Sequence, residues 1–139
     1  MKRNNFAIFL ILALLPTSLF GQESVDSDIN TDPTRFSSYA QIQVLNKTTA
    51  KSSNLEVKVG NKIRFSSLDI AVRKCWQAPL DQRPESKILI DVAEINVDKD
   101  SGKEKENRIF YGWIFASSPS LSGVEHPIYD IVAISCKSK

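Results

Sequence analysis

Short alternations of apolar and polar residues run through most of this chain, and they constrain its fold more than any other feature. Ile42 and Val44 alternate with glutamines, and the same period of two recurs at Leu55, Val57 and Val59. A period of two places apolar side chains on one face of a β-strand. Outside the N-terminal apolar run, no window keeps apolar residues at helical spacing for about ten residues. The pattern predicts about seven short strands in an all-β, small antiparallel β-sandwich or barrel.

Turn residues and parity predict how some of these strands are connected. Gly60 and Asn61 separate two alternating runs, which predicts a two-residue β-hairpin between the flanking strands. The alternation that ends at Val72 has the opposite parity to Cys75, so a β-bulge is expected between them. The charged stretch around Gly102 predicts the most exposed turn of the chain.

The chain has two cysteines, Cys75 and Cys136. The N-terminal segment, described next, predicts export, and an even number of cysteines in an exported protein favours a disulfide, which would contribute on the order of 4 kcal/mol in the chain-entropy model. Two buried free thiols are the alternative. A single histidine and two widely separated cysteines do not match the ligand spacing of a metal site. We therefore predict no metal and no cofactor.

The N-terminus has the pattern of a secretory signal peptide. Lys2 and Arg3 precede ten apolar residues at 6–15, and Gly21 provides a small residue for cleavage. Ten residues span roughly 15 Å as a helix, about half of a bilayer core, which favours cleavage over a transmembrane anchor. An uncleaved segment acting as an anchor is the alternative, and it is the only membrane contact that the sequence suggests.

Three segments follow from this division. Residues 1–21 form the predicted signal peptide, residues 22–39 a polar linker, and residues 40–137 the β domain. The full chain has 18 basic and 16 acidic residues, so cleavage leaves 16 of each. A net charge near zero argues against a protein that binds nucleic acid, which needs an excess of lysine and arginine.

The strand near residue 112 is apolar on both faces. Tyr111, Trp113 and Phe115 alternate on one face, and Phe110 lies on the other with Gly112. This pattern predicts a central core strand, with an exposed aromatic face for a sugar or peptide as the alternative. Gly112 among bulky residues predicts that a ring or a backbone packs closely over that position.

A polar loop follows this strand and provides the candidate functional residues. The candidate binding surface comprises Trp113, Ser117, Ser118, Glu125, His126 and Asp130. Ser117 or Ser118 with His126 and an acid would be the components of a hydrolase, but neither serine lies on the glycine-flanked turn of a nucleophile elbow. We therefore assign no catalytic residue. The acidic members of the surface are expected to pair with Arg73 or Arg108.

The same region resembles a known family. Tyr-Gly-Trp-Ile-Phe-Ala-Ser-Ser-Pro, beginning at Tyr111, is followed by Glu-His-Pro-Ile-Tyr-Asp from Glu125 and then by Cys136. This run is similar to the signature of a family of small exported alphaproteobacterial proteins defined as a domain of unknown function. The resemblance extends over roughly residues 40–137. It implies a periplasmic or envelope location and a paired cysteine, and it brings no substrate, cofactor or catalytic residue.

Two functions from different classes follow from these observations. The first is a non-enzymatic binding or structural module of the periplasm, whose partner is an envelope protein or a cell-wall component. The second is a small periplasmic hydrolase that uses Ser117 or Ser118 with His126. The sequence favours the first.

Overall fold

The computed structural model describes residues 35–138, which form a β domain. The predicted signal peptide and most of the predicted linker lie outside the described residues. The strands are β1 (Tyr39–Asn46), β2 (Lys51–Lys58), β3 (Lys62–Phe65), β4 (Leu68–Gln77), β5 (Ser86–Val97), β6 (Glu104–Phe115) and β7 (Tyr129–Lys137). Ahead of β1, Phe36 forms an isolated bridge with Trp76. The described part of the chain has no helix of the length and apolarity that crossing a bilayer requires.

The strands form two antiparallel sheets that enclose one core. The three-stranded sheet has the order β2-β1-β7, and the four-stranded sheet has the order β3-β4-β5-β6. Ile42 and Val44 from the first sheet and Ile70, Val72 and Ile90 from the second are fully buried. The alternating residues predicted to share a face therefore meet between the sheets, which confirms the all-β sandwich.

Gly60 and Asn61 do not close a β-hairpin, so that prediction was wrong. The strand before them, β2, pairs with β1, and the strand after them, β3, pairs with β4 in the other sheet. Gly60 has a φ of 90° and donates its N–H to the carbonyl of Val72 at 2.8 Å. A turn signal indicates a change of chain direction, but the faces that must be buried decide which strand pairs next. A two-residue turn instead joins β3 to β4, with Ser66 at a φ of 54°.

The predicted bulge is present in β4. The register with β5 shifts between Val72 and Lys74, which leaves Arg73 as the extra residue. Val72 and Cys75 are both buried, whereas Arg73 and Lys74 are exposed. Cys75 is bonded to Cys136 of β7, with an S–S distance of 2.08 Å. The predicted disulfide is confirmed, and it joins the two sheets.

The charged turn between β5 and β6 is also confirmed as an exposed tip. Gly102 has a φ of 66° and donates its N–H to the carbonyl of Asp98 at 2.8 Å. The Asp98 carboxylate accepts the N–H groups of Asp100 and Ser101 at 3.0 and 2.8 Å. A short polar side chain therefore satisfies the backbone donors of the turn.

β6 lies at the edge of the four-stranded sheet, so the prediction of a central core strand was wrong. Ile114 is buried, but Tyr111 is 59% exposed on the opposite face. Apolar residues on both faces arise here because the aromatic side chains pack on the outer surface of the sheet. The prediction for Gly112 is confirmed, since a Cβ atom there would lie 3.2 Å from the ring of Phe110.

Candidate binding surfaces

The connection from β6 to β7, residues 116–128, runs along one side of the sandwich. β6 ends at Phe115, near the disulfide, because Phe115 and Trp76 both pair with Lys87. β7 begins at Tyr129 at the other end of the sandwich, opposite Asn46. The connection therefore travels the length of the domain. Its Val124 is buried in the core, so this loop closes the side of the sandwich between the two sheets.

His126 anchors this loop from the inside. The residue is 5% exposed, and Nδ1 accepts the N–H groups of Ile128 and Tyr129 at 3.1 Å each. Because Nδ1 is an acceptor, the neutral ring carries its proton on Nε2, which lies 3.3 Å from Oε1 of Glu94. The ring also stacks on Tyr129, with centroids 5.3 Å apart. Nδ1 therefore holds the backbone at the end of the loop, and Nε2 connects the loop to the side chain of Glu94 in β5.

Ser117 is held by a carboxylate that the sequence analysis did not identify. Its hydroxyl donates to Oε2 of Glu85, and its N–H donates to Oε1 at 3.2 Å. Burial opposes ionisation of Glu85, but hydrogen bonds from Ser117, Ser86 and Ala116 together lower the pKa of this carboxyl. Glu85 therefore holds Ser117 through both of its carboxylate oxygens.

No hydrogen bond in the described part of the chain joins Ser117 or Ser118 to His126. The backbone carbonyl of Ser118 accepts the N–H of Leu121 at 3.1 Å. Ser122, which was not predicted to have a role, donates its hydroxyl to the carbonyl of Trp113 and so fastens the loop to the β6 edge. Ser117 and Ser122 therefore make side-chain hydrogen bonds that hold the loop in place.

The acidic residues of the loop region do not pair with Arg73 or Arg108, so that expectation was wrong. Asp130 pairs with Lys47, at 3.2 Å between Oδ1 and Nζ, and both side chains are substantially exposed. The two arginines instead bind Asp91 of β5. Sequence distance could not indicate this pairing, because it depends on the register of three strands.

A shallow depression of about 570 Å³ lies on the outer side of the loop. Its lining includes Lys47, Ser120, Glu125, His126, Pro127 and Asp130. Three of the six candidate residues, Glu125, His126 and Asp130, therefore come together here, whereas Trp113, Ser117 and Ser118 do not line it. In the same loop, Leu121 is 74% exposed.

A second surface lies on the outer face of the four-stranded sheet, at its disulfide end. We call it the aromatic patch: Lys74, Lys87, Leu89, Tyr111, Trp113 and Phe115. Cross-strand pairs place them side by side, because Phe115 pairs with Lys87, and Leu89 pairs with both Trp113 and Lys74. Trp113 and Phe115 are partly exposed. The alternation along β6 predicts the aromatic members of this patch, whereas the lysines join them only through the register with β4 and β5.

The other end of this outer face contains an ion-pair cluster, which consists of Lys62, Arg64, Asp69, Arg73, Asp91 and Arg108. Arg64 Nε and Lys62 Nζ lie 2.8 and 2.9 Å from the buried Asp69 carboxylate. Hydrogen bonds from Arg64 and then Lys62 lower the pKa of Asp69 to about 2. Asp91 is likewise buried. Burial opposes its ionisation, but hydrogen bonds from Arg73 and Arg108 lower its pKa.

Within residues 35–138, no three histidine, cysteine or acidic side chains are grouped in a way that could hold a metal ion.

Comparison with known proteins identifies the family. A family model described as an uncharacterized protein conserved in bacteria, DUF2155, matches residues 40–136. The uncharacterized protein RP359 of Rickettsia prowazekii is 34% identical over 96 residues, which are 69% of this chain and 59% of that relative. The matched region thus spans less than two thirds of the relative. No solved structure matches the chain. The resemblance found in the motif is confirmed, and this chain belongs to the DUF2155 family.

Proposed function

We propose that this protein is a non-enzymatic binding module of the bacterial cell envelope that contacts a partner protein through the loop at residues 116–128. One observation carries the proposal: the loop is anchored from the inside and exposes apolar surface on the outside. Val124 and His126 fix its inner side, while Leu121 is 74% exposed. A loop held between rigid strands is a common place for binding residues, and its fixed shape reduces the entropy lost on binding.

Two charge features favour a protein partner for this surface. The depression contains the Lys47–Asp130 ion pair and the exposed carboxylate of Glu125. Pro119 and Pro127 lie among these charges in the depression, and apolar side chains beside charges of both signs are typical of protein interfaces, where the charges set the orientation of the partner.

Export is the second part of the proposal. The charged and apolar segments of residues 1–21 support it, and a disulfide is typical of proteins in oxidising compartments. Cell fractionation with N-terminal sequencing tests it, with a mature protein expected to begin at Gln22. Recovery of the protein in the cytoplasm with both thiols reduced would overturn export.

The hydrolase alternative gains no support from the geometry. Both nitrogens of His126 are engaged within the fold, and Ser117 is bound to the carboxylate of Glu85. A fluorophosphonate probe tests this directly, because it labels only activated serines. We expect no labelling of the folded protein. Covalent modification of Ser117 or Ser118, mapped by mass spectrometry, would replace the binding proposal with an enzymatic one.

The binding surface is tested with a photo-crosslinking amino acid at Leu121 of the protein expressed in its native cells. The matched control carries the same amino acid at Lys99, in the exposed turn at residues 98–103. We expect a discrete adduct from position 121 that is absent from position 99 and that weakens when Glu125→Ala is added. Equal adducts from both positions, or none from position 121, would overturn the loop as the binding surface.

A further inference from the structure

We propose that the aromatic patch binds an anionic glycan, with sugar rings stacked on Tyr111 and Trp113 and acidic groups paired with Lys74 and Lys87. For an exported protein the source is peptidoglycan, whose sugars and stem peptides carry carboxylates. The inference rests on the proposed function only in requiring export. It concerns the outer face of the sheet, which is a different surface from the loop.

The rings are arranged as a platform. Tyr111, Trp113 and Phe115 occupy alternate positions of β6, so their side chains repeat about every 7 Å along one face. Leu89 lies opposite Trp113 and widens the apolar floor. The electron-rich face of an aromatic ring attracts the C–H groups of a sugar, and a sugar ring presents several of them on one side. A glycan lying along β6 would therefore meet these rings in succession.

The lysines of the patch lack acidic partners. Among residues 35–138, no carboxylate lies within 4.0 Å of the ammonium group of Lys74 or Lys87. Lys87 Nζ instead lies 4.7 Å from the centroid of Trp76, and Lys74 Nζ lies 5.6 Å from that of Phe36. A cation over a ring keeps its full charge, so both remain available to an anionic ligand.

The adjoining arginines add to the positive charge. Arg73 and Arg108 share the single carboxylate of Asp91, at 2.8 Å each. With Lys74 and Lys87 they make four cations, against the carboxylates of Asp91 and of Glu85, which binds Ser117 just beyond Phe115, so an excess of two positive charges remains. Arg108 also lies 5.6 Å from the ring centroid of Tyr111. Charge complementarity therefore selects an acidic glycan over a neutral one.

An unsatisfied donor lies beside the patch. Nε1 of Trp76 is buried and has no hydrogen-bond acceptor among the described residues. Trp76 pairs directly with Lys87. Buried donors without partners are costly and rare, and a hydroxyl of a bound ligand would satisfy this one once Lys87, which covers the indole, moves aside to pair with the ligand. This feature distinguishes the patch from an ordinary apolar surface.

Co-sedimentation of the mature protein with purified peptidoglycan sacculi tests the proposal. The variants are Tyr111→Ser, at an exposed ring, and the double variant Lys74→Glu with Lys87→Glu. The control, Lys99→Glu with Lys103→Glu, makes the same charge change at the distant turn. We expect each patch variant to lower the bound fraction at least fivefold and the control to bind like the wild type. Circular dichroism must show equal melting temperatures for the compared proteins.

Three other results of these binding experiments would overturn the glycan proposal or assign the patch to a different ligand. Equal binding by patch variants and control overturns the proposal. Stronger binding to a single-stranded oligonucleotide than to soluble peptidoglycan fragments also overturns it, because stacking rings with lysines suit that ligand too. Binding to phosphatidylglycerol vesicles but not to sacculi would assign the patch to a membrane surface instead. Leu121→Ser should sediment with sacculi like the wild type. Loss of the glycan proposal would therefore leave the loop proposal intact, and loss of the loop proposal would leave the glycan proposal intact.

Discussion

The two ends of the outer face of the four-stranded sheet hold their cations in opposite ways. In the ion-pair cluster, the buried carboxylates of Asp69 and Asp91 each accept two cations at 2.8–2.9 Å. In the aromatic patch, Lys74 and Lys87 lie over rings and meet no carboxylate among the described residues. Neutralised charge contributes to folding, whereas charge left without a counter-ion is available for recognition. The outer face of this sheet therefore carries cations that stabilise the fold at one end and cations that are available to a ligand at the other.

The interior shows a matching difference. Beneath the aromatic patch, the Cys75–Cys136 disulfide joins the two sheets covalently. At the other end, Tyr129 reaches across to Ser66, with 2.9 Å between their hydroxyl oxygens, and packs edge-on against Phe65. The patch end therefore relies on the disulfide, and the cluster end relies on polar and aromatic contacts.

Removal of the disulfide has the largest expected effect. Cys75→Ser combined with Cys136→Ser should lower the free energy of unfolding by on the order of 4 kcal/mol, because the closed loop spans 61 residues. Guanidinium denaturation of the oxidised wild type and the double variant measures this. A difference below about 1 kcal/mol would show that the patch end does not depend on the bond.

Loss of a shared carboxylate comes next. Asp91→Asn removes the charged acceptor of both Arg73 and Arg108 and should cost about 1–3 kcal/mol, the range for hydrogen bonds to charged groups. Asp100→Asn in the exposed turn is the control and should cost less than about 0.5 kcal/mol. Equal losses in urea denaturation at pH 7 would remove the distinction between the cluster and an ordinary surface charge.

Acid should weaken the cluster in a defined window. The pKa of Asp69 is about 2 in the folded protein against an ordinary value of 3.8. Because the folded pKa is lowered, its contribution is fully present above about pH 5 and is lost as the pH falls from about 4 to 2. The stability difference between the wild type and Asp69→Asn should therefore shrink over that window. A difference that stays constant from pH 7 to 2 would contradict this assignment.

The smallest effect on stability is expected at the lysines of the patch. Lys74→Ala or Lys87→Ala removes a cation–π contact and should change the free energy of unfolding by less than about 1 kcal/mol. Thermal denaturation of each variant beside Asp91→Asn gives the comparison directly. A loss as large as that of Asp91→Asn would make these lysines structural and weaken the case for a ligand.

Local pattern predicted those parts of the fold that depend on strand parity. The alternation at Ile42 and Val44 predicted a core-facing strand. The mismatch in parity between Val72 and Cys75 predicted the bulge in β4. The presence of Gly112 among bulky residues predicted close packing at that position, which the ring of Phe110 provides. Each of these inferences needs only the period of two along a single strand.

The failures all concern relations between strands. Gly60 looks like a hairpin residue, but its neighbours belong to different sheets. The partners of His126 and Ser117 are Glu94 and Glu85, each 32 residues away along the chain. Which residues become neighbours depends on register and sheet order, and no window of sequence contains that information.

The extra residue in β4 has a consequence for how this chain can change its length. Deleting Arg73 would remove the bulge and leave Lys74 facing outward and the thiol of Cys75 facing inward, because both would keep their partners Leu89 and Ile88 in β5. The disulfide would therefore still join the two sheets, and the deletion would remove only one of the two cations that bind Asp91. Single-residue deletions are therefore tolerable in the turns at residues 78–85 and 98–103 and at the bulge itself, whereas a single deletion elsewhere in β4 would turn part of the strand to the opposite face.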